Sequence, residues 1–255
     1  MKRRPVVNST GRPGFDSGTG AGDTCPMQPS PPAARPAFKA VLFDFEGTLV
    51  DFQWQLEAAH AELRTAFASL GFGGDEFIHG NYATMWNATA DRLQPQGRMD
   101  ELRHALCPIY DRWDADALTR WSPRPGAAAL LRQLASTGLR TGMVSNVGRR
   151  ALGEALQRFG LAEWLRPVIS RDEVTSMKPR AEGILRVLAE WQLAAEDVLF
   201  VGDSRADVRG ARAAGLRVAI IRGGECVEAD FADDAPDFMI SELGELAGLT
   251  AGVKA

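Results

Sequence analysis

Two carboxylates lie two positions apart where the first apolar run of the chain ends. The run VLFDF at 41–45 is apolar except for Asp44, and Glu46 and Gly47 follow it directly. Burying an unpaired carboxylate costs several kcal/mol, so a strand that carries one to its tip needs a partner or a function for it. An Asp at such a tip can attack covalently and form an acyl-phosphate. Gly47 would allow the backbone to approach a substrate closely.

Polar residues also stand at the ends of later apolar runs or at the start of the next helix. TGMVSN ends in Ser145 and Asn146, SMKPRAEGIL carries Lys178 just before a helical pattern, and VLFVGDSRAD carries Asp203 and Asp207. In an open parallel sheet, ligands bind beyond the carboxyl ends of the strands. We therefore expect these side chains to share one crevice with the acids of the first run.

As a set, these residue types are suited to metal-assisted phosphoryl transfer. Asp44 and Asp203, with Asp207 as a third candidate, offer the hard oxygen ligands that Mg²⁺ prefers. Lys178 and Ser145 can hold the oxygens of an anionic substrate. Because carboxylates held close together repel one another, the cluster itself calls for a cation.

The elements that must position these residues alternate along the chain from Phe38 onward. Strand-like apolar runs occur at 40–45, 141–145, 167–170, 198–202 and 218–221, with a weaker one at 237–240. Helical patterns occur between most of them, at 126–137, 149–160, 181–191 and 205–214. Repeated strand–helix–strand units predict an α/β, Rossmann-like parallel sheet with helices on both faces.

One interval, between Phe52 and Ser122, breaks this alternation. It shows only helical signal, because apolar residues recur on one face at Leu56, Ala59, Leu63, Phe67 and Leu70. About 70 residues are too many for a simple connection. We expect an inserted helical cap subdomain at 52–122 and a core formed by 37–51 and 123–250. Four tryptophans fall in the insertion and should fill its core, with the first, near the junction, as a candidate to face substrate: Trp54, Trp86, Trp113 and Trp121.

Residues 1–36 differ from the rest in composition. They hold seven of the fourteen prolines and an excess of basic residues, five Lys or Arg against two Asp, so we expect a disordered tail. No apolar segment follows MKRRP, and no run is long enough to span a membrane. The net charge of −4 gives no reason to expect nucleic acid. Three widely spaced cysteines suggest no disulfide framework, which favours a cytoplasmic protein.

Four motifs resemble those of the haloacid dehalogenase-like hydrolases and occur in the order typical of that family. They are DFEGT at 44–48, Ser145–Asn146, Lys178–Pro179 and GDSRAD at 202–207. The insertion lies where phosphoglycolate phosphatase-like members carry a helical cap, and the resemblance covers about 38–249. It implies a Mg²⁺-dependent phosphatase that hydrolyses small phosphate monoesters through an aspartyl-phosphate.

The resemblance also implies a role for each matching position. Asp44 would take the phosphoryl group, and residue 46 would protonate the leaving oxygen and then activate water. Lys178 and Ser145 would orient and neutralise the phosphoryl oxygens. We expect phosphate contacts from Gly47, Thr48, Ser145, Asn146 and Lys178, and metal contacts from Asp44, the Glu46 backbone carbonyl, Asp203 and Asp207.

Glu46 departs from the family pattern, which has Asp at this position. The extra methylene can shift the carboxyl by more than about 1 Å, and misplacement on that scale can cost on the order of 100-fold in rate. Three functions stay open: a phosphatase that accommodates Glu46, a slow-hydrolysing phosphotransferase, and a non-catalytic metal- or phosphate-binding regulatory module. Glu46 and the intact GDSRAD argue against a dehalogenase. The absence of lysine between Lys39 and Lys178 excludes phosphonate cleavage through a cap lysine.

A cap that closes over the crevice favours a small phosphorylated metabolite over a phosphoprotein, with no nucleic-acid or membrane partner expected. The phosphoglycolate-type architecture suggests a small acidic phosphate. Five arginines of the insertion are candidates to meet a second anionic group: Arg64, Arg92, Arg98, Arg103 and Arg112. The sequence does not set the oligomeric state.

Overall fold

A six-stranded parallel sheet forms the centre of the computed structural model, which describes residues 38–74, 77 and 80–251. The expected tail at 1–36 lies outside these residues. The strand order is β3-β2-β1-β4-β5-β6, and every pairing is parallel. The strands are β1 (Ala40–Phe43), β2 (Arg140–Val144), β3 (Val168–Ile169), β4 (Val198–Gly202), β5 (Arg217–Ile221) and β6 (Phe238–Ile240).

Helices cover both faces of this sheet. Along β1, Val41 and Phe43 pack into one apolar cluster, and Ala40 and Leu42 pack into the other. This alternation explains why the strand reads as a continuous apolar run, since both of its faces are buried. The predicted fold class is therefore confirmed. In the numbering used below, the helices on the first face are α4 (Ala127–Ser136), α5 (Arg149–Arg158) and α8 (Leu246–Thr250), and those on the second are α6 (Glu182–Trp191) and α7 (Arg205–Ala213).

The insertion after β1 is helical, as expected, and its described residues between 52 and 122 form no strand. Its helices are α1 (Leu56–Ser69), α2 (Tyr82–Leu93) and α3 (Met99–Leu118). In α3, Leu102, Leu106 and Tyr110 recur every four residues and are fully buried, which places one stripe of the helix in the core. The limits that we expect for the subdomain remain predictions. Among the described residues, no helix has both the length and the apolarity needed to span a bilayer.

Two linkers join the insertion to the sheet, and they lie side by side. Val50 pairs with Pro123 in an isolated antiparallel bridge. The Asp51 backbone N–H donates to the Ser122 carbonyl at 3.0 Å, and the Ser122 N–H donates to the Asp51 carboxylate at 2.6 Å. The chain therefore enters and leaves the insertion at one place.

A buried arginine fastens the insertion to the core at a second place. Arg171 follows β3 and donates to Asp114 of α3 at 2.8 Å and to Asp111 at 2.5 Å. Its guanidinium also lies over the Tyr110 ring, 4.9 Å from the centroid. Arg171 and Asp114 are 2% exposed, so this ion pair is removed from water and depends on both partners.

Replacing this arginine tests how much the fastening contributes to stability. Arg171→Ala leaves the Asp114 carboxylate buried without its counter-charge and should lower the free energy of unfolding by about 3–5 kcal/mol, measured by urea denaturation. Arg98→Ala, at an exposed pair with Glu101, is the matched control and should leave the midpoint unchanged. Equal shifts in the two variants would contradict the assigned role of Arg171.

Candidate active site

The carboxyl ends of three neighbouring strands bring the predicted residues into one cleft. Asp44 follows β1, Ser145 follows β2 and Asp203 follows β4, with β1 between the other two. The Asp44 backbone N–H donates to the Val201 carbonyl at 2.8 Å, which extends the β1–β4 pairing to this residue. The strand order reverses beside β1, so the cleft occupies the topological switch point of the sheet, where α/β folds bind ligands.

Three buried aspartates and one lysine form the base of this cleft. Lys178 Nζ lies 2.5 Å from Asp44 Oδ1 and 2.7 Å from Asp207 Oδ1. Asp44, Asp203 and Asp207 each offer a carboxylate oxygen within 4.8 Å of the others. One ammonium therefore contacts two of three neighbouring acids, which leaves an excess of negative charge in a buried place.

The pKa values of these groups reflect the charge imbalance. Burial raises the pKa of Asp44 to about 7, with Lys178 opposing and Asp207 adding to the shift. Burial, Asp207 and Asp44 raise the pKa of Asp203 well above its usual value. Burial alone would lower the pKa of Lys178, but Asp207 and Asp44 reverse this and raise it. A hard divalent cation fits this oxygen-only donor set, because it would favour the ionised form of all three acids.

Glycines leave room for the Asp203 carboxylate. A Cβ on Gly47 would lie 2.0 Å from Asp203 Oδ2, and one on Gly224 would lie 2.1 Å from the same atom. Gly47 also has φ +80°, a conformation that other residues rarely adopt. Thr48 is fully buried, and its hydroxyl donates to Asp203 at 3.4 Å. Gly47 and Thr48 thus pack around a carboxylate, and their phosphate contacts stay predictions.

Asp207 is fixed by the start of α7. Its Oδ2 accepts from the backbone N–H groups of Asp203 and Ser204 at 3.1 and 3.0 Å and from the Ser204 hydroxyl at 2.7 Å. The Ser204 hydroxyl caps the helix in return. This reciprocal arrangement explains the spacing of the GDSRAD motif, because the residue three places after Ser204 must reach back.

Ser145 and Asn146 differ in what they contact. Ser145 lines the cleft, and its Oγ accepts from the Val147 N–H at 3.2 Å, so its own proton can be donated to a ligand. The Asn146 amide accepts from the Lys178 N–H at 3.0 Å and donates to the Lys178 carbonyl at 3.2 Å. Asn146 therefore positions the segment that carries Lys178, although it also borders the cleft.

The Glu46 side chain connects the site to both linkers of the insertion. Its Oε1 accepts from the backbone N–H groups of Gln53 and Trp54 at 2.7 and 2.8 Å and from the Trp121 indole at 2.8 Å. Burial raises the pKa of Glu46 to about 8, although the Trp121 hydrogen bond opposes the shift. Oε2 accepts none of these bonds, and the residue lines the cleft. The longer side chain thus reaches three donors and still presents an acid to the site.

The cleft is also lined by residues of the insertion and by Glu225, and of these only Trp54 was a candidate from the sequence. Phe52, Trp54 and Tyr82 line it, with the Trp54 and Tyr82 ring centroids 4.8 Å apart. The substrate-facing position considered for Trp54 is consistent with this placement. Glu225, which follows β5 in the stretch RGGE, also lines the cleft. Only its place after a strand and two glycines could have marked it in the sequence.

The five arginines proposed for a second anionic group do not line the cleft in the described part of the chain. Each engages a neighbour elsewhere, so the structure does not support that expectation. The contacts are the Phe77 carbonyl for Arg64, the Phe72 ring for Arg92, Glu101 for Arg98, Asp100 for Arg103 and Glu62 for Arg112.

Comparison with known proteins agrees with this fold. The model of the haloacid dehalogenase-like hydrolase family matches residues 38–215, and the chain belongs to this family. Phosphoglycolate phosphatase 1 of Pseudomonas aeruginosa is 30% identical to it over 223 residues, which cover 84% of this chain and 82% of the relative. The N-acetylmuramic acid 6-phosphate phosphatase of the same organism is 29% identical over 193 residues, 74% of this chain and 84% of the relative.

Solved structures show the same fold. A protein from Bacteroides fragilis, described as a haloacid dehalogenase-like hydrolase, matches with a TM-score of 0.60 and 24% identity. The match covers 82% of this chain and 99% of that one. The family match and the sequence relatives together identify the chain as a phosphatase.

Shortening the acid at position 46 tests the geometry of its hydrogen bonds. Glu46→Asp cannot reach all three donors, and each buried donor left unsatisfied costs about 1–3 kcal/mol. We expect a lower melting temperature and a fall in kcat/KM for p-nitrophenyl phosphate on the order of 100-fold.

Glu46→Gln is the matched control, because its amide oxygen can still accept the three bonds but cannot transfer a proton. It should melt close to the wild type while losing activity on esters with poor leaving groups. A gain in rate for Glu46→Asp would show that the site is not built around the longer acid.

Proposed function

We propose that this phosphatase hydrolyses phosphate monoesters of small molecules, with Mg²⁺ as cofactor and with a phosphoryl group carried transiently by Asp44. The observation that carries the proposal is the buried contact of Lys178 with both Asp44 and Asp207 at the carboxyl ends of the strands. The neighbouring helical insertion supports a small substrate, because it covers the cleft with Phe52, Trp54 and Tyr82.

In the first half of the reaction, the Asp44 carboxylate attacks phosphorus, and the bond between phosphorus and the ester oxygen breaks. Lys178 and the Ser145 hydroxyl hold the phosphoryl oxygens. Glu46 gives its proton to the leaving alcohol, which suits a group whose pKa lies near 8 and which is therefore protonated at neutral pH.

In the second half, the ionised Glu46 takes a proton from a water molecule as that water attacks the phosphorus. Inorganic phosphate departs, and Asp44 and protonated Glu46 are restored. The three donors on Oε1 keep the carboxyl in one place through both steps, so Oε2 can release and regain the proton.

Asp44, Asp203 and Asp207 are the side chains that would hold Mg²⁺. The family resemblance adds the Glu46 backbone carbonyl. When bound, the ion supplies Lewis-acid stabilisation of the phosphoryl oxygens and offsets the repulsion among the three acids. The glycines around Asp203 and the Ser204 bonds to Asp207 support this role, because the glycines leave room for one carboxylate and Ser204 holds the other in place.

Removing the nucleophile tests the proposal directly. Purified full-length protein should release phosphate from p-nitrophenyl phosphate with Mg²⁺, and EDTA should abolish this activity. Asp44→Asn should lower kcat by on the order of 1,000-fold or more. Asp197→Asn, at a surface pair with Lys39 away from the cleft, is the control and should keep full activity.

Two alternatives give different results in the same assay. Mg²⁺ binding without turnover across a panel of phosphate esters would indicate a regulatory binding module. A phosphorylated Asp44 that persists and transfers its group to an added alcohol would indicate a phosphotransferase.

The pH profile tests the role of Glu46. Because this acid must be protonated when the alcohol leaves, kcat/KM for an alkyl phosphate should fall as pH rises through about 8. p-Nitrophenyl phosphate, whose leaving group needs no proton, should show a weaker fall. In Glu46→Gln, kcat/KM should no longer fall as pH rises through this range. A fall that persists in this variant would assign the titration to another group.

A further inference from the structure

The charges around the cleft are unevenly distributed between acids and bases. Among the described residues that line it, Lys178 is the sole cation, and its ammonium already contacts two carboxylates. The lining acids outnumber it: Asp44, Glu46, Asp114, Asp203 and Glu225. A ligand group beyond the phosphate therefore meets a wall that is acidic and aromatic.

Most of these acids already have partners that account for them. Asp114 accepts from Arg171 and from the Trp54 indole at 2.8 and 3.1 Å. Glu46 accepts three N–H donors on one oxygen. Asp44 and Asp203 belong to the group of three carboxylates at the base.

Glu225 is different. Its backbone N–H donates to Asp203 Oδ2 at 2.5 Å, which fixes the residue at the rim of the carboxylate group. Its side chain is partly buried and lines the cleft, but no hydrogen bond from the described residues reaches its carboxylate. Its oxygens are also not part of the group that meets within 4.8 Å. Glu225 is therefore placed to accept hydrogen bonds from a ligand rather than from the protein.

The aromatic residues of the lining do not offset this negative charge. Phe52, Trp54 and Tyr82 border the cleft and bring no positive charge that would attract an anion. With the substrate bound, a phosphate dianion joins the carboxylates already present. Lys178 and one divalent cation do not offset all of these charges, so an additional carboxylate on the alcohol would meet net repulsion at short range.

We infer that the alcohol of the natural substrate carries no negative charge and presents hydroxyl or ammonium donors to Glu225, as a sugar or amino-sugar phosphate does. This inference rests on the proposed function, since it concerns the alcohol part of the same ester. The inferred substrate differs from the substrates in the names of the two relatives, because glycolate and muramic acid both carry a carboxylate.

Two series of substrates of matched size test the inference on the Mg²⁺-loaded full-length enzyme. The two-carbon series is phosphoethanolamine, 2-hydroxyethyl phosphate and phosphoglycolate; the six-carbon series is glucosamine 6-phosphate, glucose 6-phosphate and 6-phosphogluconate. In each series, kcat/KM for the cationic and neutral esters should exceed that for the carboxylate by about 30-fold or more.

Glu225→Gln assigns the selectivity to a residue. The variant should reduce the ratio of kcat/KM for the cationic ester to kcat/KM for the carboxylate ester by about tenfold or more, because it removes the charge of the side chain and keeps its size. Glu228→Gln, at an exposed acid on the same loop, should leave the ratio unchanged. If Glu225 instead ligated the metal, the variant would lower kcat/KM for all esters by the same factor and raise the Mg²⁺ concentration needed for activity. That result would overturn the assignment.

The result remains informative if catalysis itself fails. If no ester is hydrolysed, including p-nitrophenyl phosphate, the proposed function is wrong. Binding is then measured in place of rates, as the shift in melting temperature that each ester causes in the presence of Mg²⁺. A larger shift with phosphoethanolamine than with phosphoglycolate, lost in Glu225→Gln, upholds the inference. A preference for phosphoglycolate in either measurement overturns it.

Discussion

The site depends on one buried interaction, the Lys178 ammonium shared between Asp44 and Asp207. Carboxylates removed from water repel one another, and a single cation at their centre is what allows them to converge. Much of the surrounding structure maintains this contact. Asn146 holds the backbone of Lys178, and Ser204 holds the Asp207 carboxylate. The contacts of Lys178 with Asp44, Asp207 and Asn146 join segments far apart in sequence, so the chemistry is a property of the fold and not of any single motif.

Glu46 shows how a departure from a family pattern can be accommodated. In place of a shorter acid, its carboxyl extends to N–H donors on both linkers, at residues 53, 54 and 121. The extra methylene thus has a structural use, and the position of the acid depends on where the linkers lie. The proton transfer proposed for Glu46 would therefore depend on the placement of the insertion, because a shift of either linker moves the donors of its carboxylate.

The sequence predicted the six strands and the four helices between them closely, because buried parallel strands read as continuous apolar runs and these helices have a clear periodicity; for the insertion it predicted helical structure without the bounds of α2 and α3. It also identified residues that the structure brings to one cleft, since the ends of parallel strands meet at one edge. It could not identify Glu225, which has no local pattern, or the Arg171–Asp114 pair, whose members are 57 positions apart. The insertion arginines show the converse limit: residue type alone does not reveal which way a surface side chain points. The functions assigned to the cleft residues stay predictions.

The paired linkers have a consequence for how such a protein can diversify. Because residues 51 and 122 are hydrogen-bonded side by side, the chain enters and leaves the helical segment at one place beside the sheet, and the ion pairs of Arg171 with Asp111 and Asp114 are a separate attachment. Exchange of that segment for another of different length would leave the strand order and the aspartate-bearing loops untouched. Recombination could therefore alter which substrates the enzyme admits while the phosphorus chemistry is inherited unchanged, provided that the new linkers again supply donors to Glu46 and the new segment again supplies a carboxylate to Arg171.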